Sequence, residues 1–259
     1  MTTQLLRAAA LLLLFAANGA AQAGWQITST KREASPDESV EHWTSVVENA
    51  ETADRATLHF AVFETRAATL RVIDQPDPPR TDLAEIMVRT KAVAGVNGGY
   101  FDPEDAPLGL LVSEGRVLSR LRKAKLLTGV LFATKNEVDI VRATRFSMND
   151  RIKSALQCGP LLVERAAPVA GLNDTRPARR TFAAVDGDGR ATLGICSAVT
   201  LAELSWILCL TNLGGKARIA RALNLDGGSS SAFWFAGKEE AFSMPEIKSV
   251  RDFVAVVPL

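Results

Sequence analysis

The chain has 259 residues, with 30 basic and 29 acidic side chains and a formal net charge of +1 at pH 7. This balance gives no reason to expect nucleic acid or an anionic membrane surface as a partner. With two histidines, the chain cannot build a zinc site from several histidines, and a Ser-His-Asp triad has little support. The length predicts one large domain with a sizeable core.

The N-terminus has the pattern of a secretory signal peptide. Arg7 precedes an apolar run at residues 8–17, and Ala21-Gln22-Ala23 fits the small-x-small rule for cleavage. The apolar run is too short to span a bilayer. We therefore predict a signal peptide over residues 1–23 and an exported mature protein, periplasmic or secreted, with no membrane span.

The remaining sequence consists mainly of short apolar runs separated by turn residues, which is typical of strands. Residues 24–55 are mixed and polar and give no structural assignment. The predicted strands span residues 56–62, 68–73, 92–96, 108–112, 116–118, 129–134, 138–142, 161–163, 181–185, 191–196 and 253–257.

Two helices are predicted from their capping residues. Asp82 and Glu85 have capping-box spacing before one apolar helical face, and Thr200 and Glu203 have the same spacing before a largely apolar helix. For Glu203 a capping role is preferred to a catalytic one. The predicted helices span residues 82–91 and 201–213, and Gly214-Gly215 ends the second.

Strands and helices do not alternate regularly, which disfavours a Rossmann or TIM-barrel arrangement. The predicted fold class is α+β. We expect a single domain over residues 56–259, with a mixed, largely antiparallel sheet and a few packed helices.

A first glycine-rich loop, Asn97-Gly98-Gly99-Tyr100-Phe101-Asp102-Pro103, follows the predicted strand at residues 92–96. Asn97 and Asp102 flank the paired glycines and place two polar groups on one loop at a strand end, where sites are commonly built. The alternative is a structural turn closed by Pro103.

A second glycine-rich loop, Asn224-Leu225-Asp226-Gly227-Gly228-Ser229-Ser230-Ser231, has the same design. Its glycines let a ligand approach the main chain closely. Asp226 is held beside backbone amides and a row of hydroxyls, which suits a polyol or a phosphate. The alternative is a hairpin turn, because Asp-Gly between apolar runs is a strong hairpin signal.

Arg176, Arg179 and Arg180 cluster in a polar loop before the predicted strand at residues 181–185. A guanidinium can grip a phosphate with two hydrogen bonds. The alternative is a solvated loop. Arg180 abuts the strand and is the best anchored of the three.

Two of the three cysteines can pair in an oxidising compartment. Cys158 and Cys196 lie at segment ends and are the better candidates for a disulfide. Cys209 lies in the apolar helix and is predicted to be a buried free thiol.

Taken in series, these stretches resemble the phosphodiester glycosidase family over residues 56–259. The most specific part is the pair of glycine loops, although many members have a third glycine where this chain has Ser229. The matching segments are Gly95-Val96-Asn97-Gly98-Gly99-Tyr100-Phe101-Asp102, Pro107-Leu108-Gly109-Leu110, Cys158-Gly159-Pro160-Leu161-Leu162-Val163, Arg180-Thr181, Val199-Thr200-Leu201-Ala202-Glu203-Leu204, Leu223-Asn224-Leu225-Asp226-Gly227-Gly228-Ser229-Ser230 and Arg251.

The resemblance implies a hydrolase that cleaves the sugar C1–O bond of a sugar-1-phosphodiester, of N-acetylglucosamine type or from a cell-envelope glycan. Because the leaving group is a stabilised phosphate anion, carboxylates that support an oxocarbenium-like centre and activate water would suffice. It implies Asp226 as the principal catalytic carboxylate, Asp102 as its possible partner, and Asn97 as the group that orients sugar hydroxyls or water. The implied substrate-binding groups are Gly98, Gly99, Arg180, Gly227, Gly228, Ser229, Ser230 and Arg251.

No metal or other cofactor is predicted. A divalent cation bound by Asp226 and Asp102 stays open as an alternative, although their spacing gives no signature for one. Two alternatives to the enzyme remain open. One is a non-catalytic periplasmic module that binds glycans or sugar phosphates with the same loops. The other is a structural domain in which both glycine loops are tight turns.

Overall fold

The computed structural model describes residues 24–211, 213 and 218–259. The signal peptide predicted at residues 1–23 and the helix terminator Gly214-Gly215 lie outside the described residues. Within these ranges, neither α-helix is long and apolar enough to cross a membrane.

The described residues form strands and two α-helices, numbered in chain order. The strands are β1 (Trp25–Ala34), β2 (Val40–Asn49), β3 (Arg55–Glu64), β4 (Ala68–Asp74), β5 (Ala94–Asn97), β6 (Leu111–Ser113), β7 (Arg116–Ser119), β8 (Gly129–Ala133), β9 (Val138–Arg142), β10 (Ser154–Cys158), β11 (Leu161–Glu164), β12 (Ala167–Pro168), β13 (Ala178–Asp186), β14 (Arg190–Val199), β15 (Ile219–Asn224), β16 (Phe233–Phe235), β17 (Phe242–Met244) and β18 (Asp252–Pro258). The helices are α1 (Leu83–Thr90) and α2 (Leu201–Leu208).

The strands form three sheets, where the sequence predicted one. Their orders are β1-β2-β3-β14-β13-β15-β11-β12, β7-β6-β10-β8-β9 and β17-β16-β5-β18-β4. Every pairing among the described strands is antiparallel, so the prediction of a mixed sheet was wrong. Parallel pairs need long crossovers, usually helical, and this strand-rich chain has few helices to supply them. The fold is therefore sheet-dominated, and α+β describes it only loosely.

The core lies on both faces of the eight-stranded sheet. Successive strand residues point to opposite faces. Along β3, Phe63 packs into a cluster shared with the other two sheets, whereas Phe60 packs into a second cluster that includes Leu204 and Ile207 of α2. Both glycine loops therefore leave strands that are fixed by a buried core.

Both helices begin where their capping residues predict. The Asp82 side chain accepts a hydrogen bond from the Glu85 amide, and Thr200 and Glu203 form a reciprocal capping box. Helix α2 ends at Leu208, earlier than predicted, because the amides of Cys209 and Leu210 bond three residues back instead of four. Glu203 thus has the capping role that the sequence favoured.

The candidate disulfide between Cys158 and Cys196 is not formed, since both thiols are buried and free, and Cys209 is a buried free thiol as predicted. Cys158 lies in the cluster between the sheets and Cys196 in the cluster under α2, so they point into different parts of the core. Burial raises the pKa of both thiols.

The segment at residues 24–55 forms the hairpin β1–β2, which extends the eight-stranded sheet through β3. Its anchor is a pair of histidines: His42 Nε2 lies 3.4 Å from His59 Nδ1. His42 is 6% exposed, and its ring packs on Phe233, Phe235 and Phe242 from the third sheet. Burial, together with the neighbouring His59, lowers the pKa of His42 to about 4.

Replacing His42 with Phe should make the free energy of unfolding less sensitive to acid pH. Because the folded-state pKa is about 4 and the ordinary value is 6.5, the unfolded chain binds the proton more tightly. The free energy of unfolding therefore loses nothing to His42 protonation well above pH 6.5. It falls as the pH drops from 6.5 towards 4, by about 2 kcal/mol between pH 7.5 and pH 5. Urea unfolding at both pH values measures this difference. Equal losses in the wild type and His42→Phe would contradict the prediction.

Candidate functional site

The two glycine loops are hydrogen-bonded to each other where β5 and β15 end. Asn97 Nδ2 donates to the Asp226 carbonyl oxygen at 2.7 Å, and the Asp226 amide donates to the Gly98 carbonyl oxygen at 3.0 Å. The loops are 129 residues apart in sequence. Their contact places Asp226 against the end of the third sheet.

Asn97 is fully buried and supports both loops from beneath. Its Oδ1 atom accepts hydrogen bonds from Thr181 Oγ1 at 2.7 Å and from the Ala232 amide at 3.0 Å. Both polar atoms of the side chain are thus engaged within the protein. The geometry favours a role in positioning Asp226 over the predicted contact with sugar or water.

Asp226 is half-buried, and the Gly227 amide donates a hydrogen bond to its Oδ1 atom at 2.9 Å. The Ser230 side chain lies close enough to the carboxylate to lower its pKa. Burial raises the pKa of Asp226, and the bonds from Ser230 and Gly227 oppose that rise. A partly buried carboxylate with a raised pKa is a candidate for proton transfer or for stabilising positive charge.

The two glycines after Asp226 are required for different reasons. A Cβ at Gly227 would lie 2.9 Å from the Arg179 carbonyl oxygen, so only glycine lets the loop approach β13. Gly228 has a φ of +65°, and a Cβ there would meet no atom within 4 Å. Gly228 therefore takes a left-handed conformation on the open side of the loop, where a ligand can approach.

Ser229 and Ser230 follow in a short 3₁₀ turn and face different surroundings. Ser230 is buried beside the Asp226 carboxylate. Ser229 is partly exposed, and its carbonyl oxygen accepts from the amides of Ile247 and Lys248. The loop is thereby fixed on the side facing β17 and β18.

Gly98 and Gly99 contact a buried carboxylate. Their amides donate to the Asp252 carbonyl oxygen at 2.8 Å and to Asp252 Oδ1 at 3.0 Å. A Cβ at Gly98 would lie 1.7 Å from Oδ1, which explains the glycine. These two amides, predicted to face substrate, are satisfied internally.

Asp252 itself was missed by sequence reasoning. It is 1% exposed, and burial raises its pKa to about 7. The available signal was an acidic residue at the start of an otherwise apolar strand, Phe253 to Val257.

Asp102 and Arg251 have structural partners. Asp102 Oδ1 accepts from the Ala106 amide at 2.8 Å and closes a short loop, as in the turn alternative. Arg251 grips Asp74 with bonds of 2.6 and 3.1 Å and donates to the Asp105 carbonyl oxygen at 3.0 Å. Neither side chain has a hydrogen bond to Asp226 among the described residues.

Tyr100 and Asn224 complete the floor of the site, and neither was predicted to be functional on its own. The Tyr100 hydroxyl donates to the Gly159 carbonyl oxygen at 2.6 Å and accepts from Asn224 Nδ2 at 2.9 Å. Burial raises the pKa of Tyr100, and the neighbouring Cys158 and Asp226 add to this effect. Their position within the glycine loops was the only signal available.

Arg180 places a positive charge at the site. Its Nε donates to the Val199 carbonyl oxygen at 2.9 Å and its NH2 group to the Arg176 carbonyl oxygen at 2.5 Å. Arg180 forms no salt bridge within the described part of the chain. Partial burial lowers the pKa of Arg180. The Arg180 guanidinium and the Asp226 carboxylate both lie close enough to Tyr100 to affect the pKa of the Tyr100 hydroxyl.

The donor set does not form a metal site. In the described ranges, no group of three or more His, Cys, Asp or Glu side chains is arranged to hold a metal ion. The groups present at the loops are two carboxylates with raised pKa values, Asp226 and the buried Asp252, together with hydroxyls, an open backbone segment and an arginine.

The fold is that of a glycosidase of known structure. The chain superposes on the catalytic domain of zebrafish N-acetylglucosamine-1-phosphodiester α-N-acetylglucosaminidase, auto-inhibited by its pro-peptide, with a TM-score of 0.64 and 15% identity, covering 88% of this chain and 87% of that one. The chain belongs to the phosphodiester glycosidase family, whose model matches residues 90–257.

Two bacterial proteins are also similar. A hypothetical protein from Synechocystis superposes with a TM-score of 0.62 and 14% identity, over 85% of this chain and 62% of that one. The uncharacterized protein YigE of Escherichia coli K12 is 33% identical over 89 residues. That stretch spans 32% of this chain and 35% of YigE, about a third of the relative's length.

Replacing Asn97 with Ala should destabilise the protein by about 3 kcal/mol or more, because three buried hydrogen-bonding groups lose their partner. Thr181→Val is the matched control. It removes one of the two donors to Asn97 Oδ1 at similar volume and should cost about 1 kcal/mol. Denaturant unfolding of both variants measures the difference. A smaller loss for Asn97→Ala than for Thr181→Val would show that Asn97 does not hold the loops together.

Proposed function

We propose that the mature chain is an exported hydrolase that cleaves the C1–O bond of a sugar-1-phosphodiester, with Asp226 as its catalytic carboxylate. The observation that carries the proposal is the position of Asp226. It lies half-buried where the two glycine loops meet, with a raised pKa and with the open Gly228 backbone next to it. Export is supported by the signal-peptide pattern at residues 1–23.

The proposed reaction needs little acid catalysis. The bond between C1 and the phosphodiester oxygen breaks, and its electron pair leaves with the phosphate. Water bonds to C1, and its proton passes to a carboxylate or to solvent. Asp226 would stabilise the positive charge that develops at C1 or accept this proton. Arg180 would hold the leaving phosphate.

Family membership and the shared fold support this chemistry. The zebrafish relative is named for N-acetylglucosamine-1-phosphodiesters, so a substrate of that type is the first to test. A non-catalytic module that binds glycans or sugar phosphates is the second candidate. It is favoured by the local partners of Asp102 and Arg251, which leave Asp226 without the predicted second carboxylate.

Asp226→Asn should lower turnover of N-acetylglucosamine-1-phospho-methyl ester by about 10²- to 10⁴-fold, the usual range for loss of a general acid or base. Release of free sugar measures turnover, and the thermal unfolding temperature should stay within a few degrees of wild type. Asp188→Asn, in the exposed turn between β13 and β14, is the matched control and should behave as wild type.

Three other outcomes of this experiment have distinct meanings. Full activity in Asp226→Asn would remove this residue from the chemistry. Binding of the diester by the wild type without turnover would point to the binding module. A lower thermal unfolding temperature in Asp226→Asn, together with no binding of the diester by the wild type, would indicate that the loop has only a structural role. Asp102→Asn, added to the panel, shows whether Asp102 participates despite its role in the loop.

Ser230→Ala should shift the limb of the pH–activity profile that Asp226 governs to higher pH. The Ser230 hydroxyl lowers the pKa of Asp226, so its removal raises that pKa further. If Asp226 reacts as the carboxylate, the acidic limb moves; if it donates a proton, the alkaline limb moves. Profiles of kcat/KM for both proteins test this. Superimposable profiles would mean that Asp226 does not control the pH dependence.

A further inference from the structure

A second charged cavity lies away from the glycine loops, at the opposite ends of β11 and β15. It has a volume of about 360 Å³ and is lined by four arginines, Arg142, Arg145, Arg165 and Arg221, and by Glu164. Strand pairing sets Glu164 opposite Arg221 at this end, whereas the Asn224 amide bonds the Pro160 carbonyl oxygen at the other end. With about 3.3 Å per strand residue, Arg221 is roughly 16 Å from Asp226 along the chain.

The charges in this cavity are unbalanced. Arg142 bonds Glu164 through two contacts of 2.7 and 2.6 Å, and Arg221 bonds Asp139 at 2.5 Å. Arg145 and Arg165 are exposed and form no salt bridge to any residue in the described ranges. Four guanidinium groups thus line the cavity, and only two of them, those of Arg142 and Arg221, are paired with a carboxylate.

The arginines come from four different segments, so their convergence is a property of the fold. Arg142 ends β9, Arg145 lies on the 3₁₀ turn after it, Arg165 lies in the turn after β11 with a φ of +53°, and Arg221 lies on β15. Gathering like charges is unfavourable unless an anion neutralises them.

One donor in the cavity also lacks a partner. The Nε atom of Arg221 is buried and has no hydrogen-bond acceptor among the described residues. This unsatisfied donor belongs to a side chain that lines the cavity, and an anionic acceptor is the partner that a guanidinium N–H prefers.

We propose that this cavity binds a phosphate group, at a site separate from Asp226. Guanidinium groups recognise phosphate oxygens through paired hydrogen bonds, which makes arginine more suitable than lysine for this purpose. Arg145 and Arg165 supply free guanidinium groups, and Arg142 and Arg221 are held in place by their carboxylates. The phosphate belongs either to a sugar phosphodiester or to the free ion, and both offer the same oxygens.

The test is titration of the full chain carrying Asp226→Asn, in which slow turnover limits consumption of the diester, and the amount of free sugar released during the titration is measured. The probes are inorganic phosphate and N-acetylglucosamine-1-phospho-methyl ester, followed through the arginine Nε–H signals by NMR at low ionic strength. We expect saturable shifts that include Arg221. Adding Arg145→Gln and Arg165→Gln should weaken binding at least 10-fold, whereas the charge-matched, exposed pair Arg116→Gln and Arg151→Gln should change it less than 2-fold.

Each outcome decides the proposal. Tighter binding of the diester identifies a phosphodiester as the ligand, and binding of phosphate alone identifies the free ion. The absence of binding by either probe overturns the proposal. Equal weakening by both pairs of substitutions also overturns it, because the effect would then be one of net charge. Hydrolytic activity of the wild type is not needed for any of these readings.

Discussion

The hydrogen bond from Asn97 to the Asp226 carbonyl oxygen is the contact on which the site depends. It joins the end of a strand in the third sheet to the end of a strand in the eight-stranded sheet. Because Asn97 Oδ1 also accepts from Thr181 and Ala232, one side chain fixes four segments of the chain. Buried amides rarely tolerate unpaired atoms, so these segments keep one arrangement. Asp226 gains a fixed position without being buried completely.

The other polar side chains under the loops also provide hydrogen-bond partners for the buried backbone of the loops. Irregular backbone in a buried place must find partners for its N–H and C=O groups. Asp252 satisfies the amides of Gly98 and Gly99, and the Tyr100–Asn224 pair satisfies the Gly159 carbonyl oxygen. These backbone groups are therefore occupied within the protein, whereas Asp252 Oδ2 and Asn224 Oδ1 are buried without a hydrogen-bond partner among the described residues. In the proposed function, recognition of the ligand is left to Asp226, the open side of Gly228 and Arg180, a smaller set than the sequence suggested.

The sequence predicted the local features of the fold well, because strand ends, helix caps and glycine turns depend on neighbouring residues. Asp82 and Thr200 cap their helices as their spacing indicates. The sequence did not show which side chains meet across the fold. Arg251 was expected at a phosphate but grips Asp74, which lies 177 residues earlier. The β1–β2 hairpin escaped notice because β1 is an edge strand with mostly exposed side chains, and so lacks an apolar pattern.

The glycine-loop site with Arg180 and the distant arginine-lined cavity differ in whether a carboxylate is left unpaired. This difference suggests different roles for the two regions. Arg180 donates to backbone carbonyl oxygens near a partly buried carboxylate, and in the proposed function it holds the leaving phosphate there. The distant cavity has more positive charge but no carboxylate free to act, because Glu164 and Asp139 are each paired with an arginine. Such a cavity can bind an anion but has no group to transform it. Since β15 carries Arg221 and ends two residues before Asp226, a single strand fixes the distance along the chain between the two regions. At roughly 16 Å along the chain, a single small diester would reach only one region at a time, so the two would bind separate molecules.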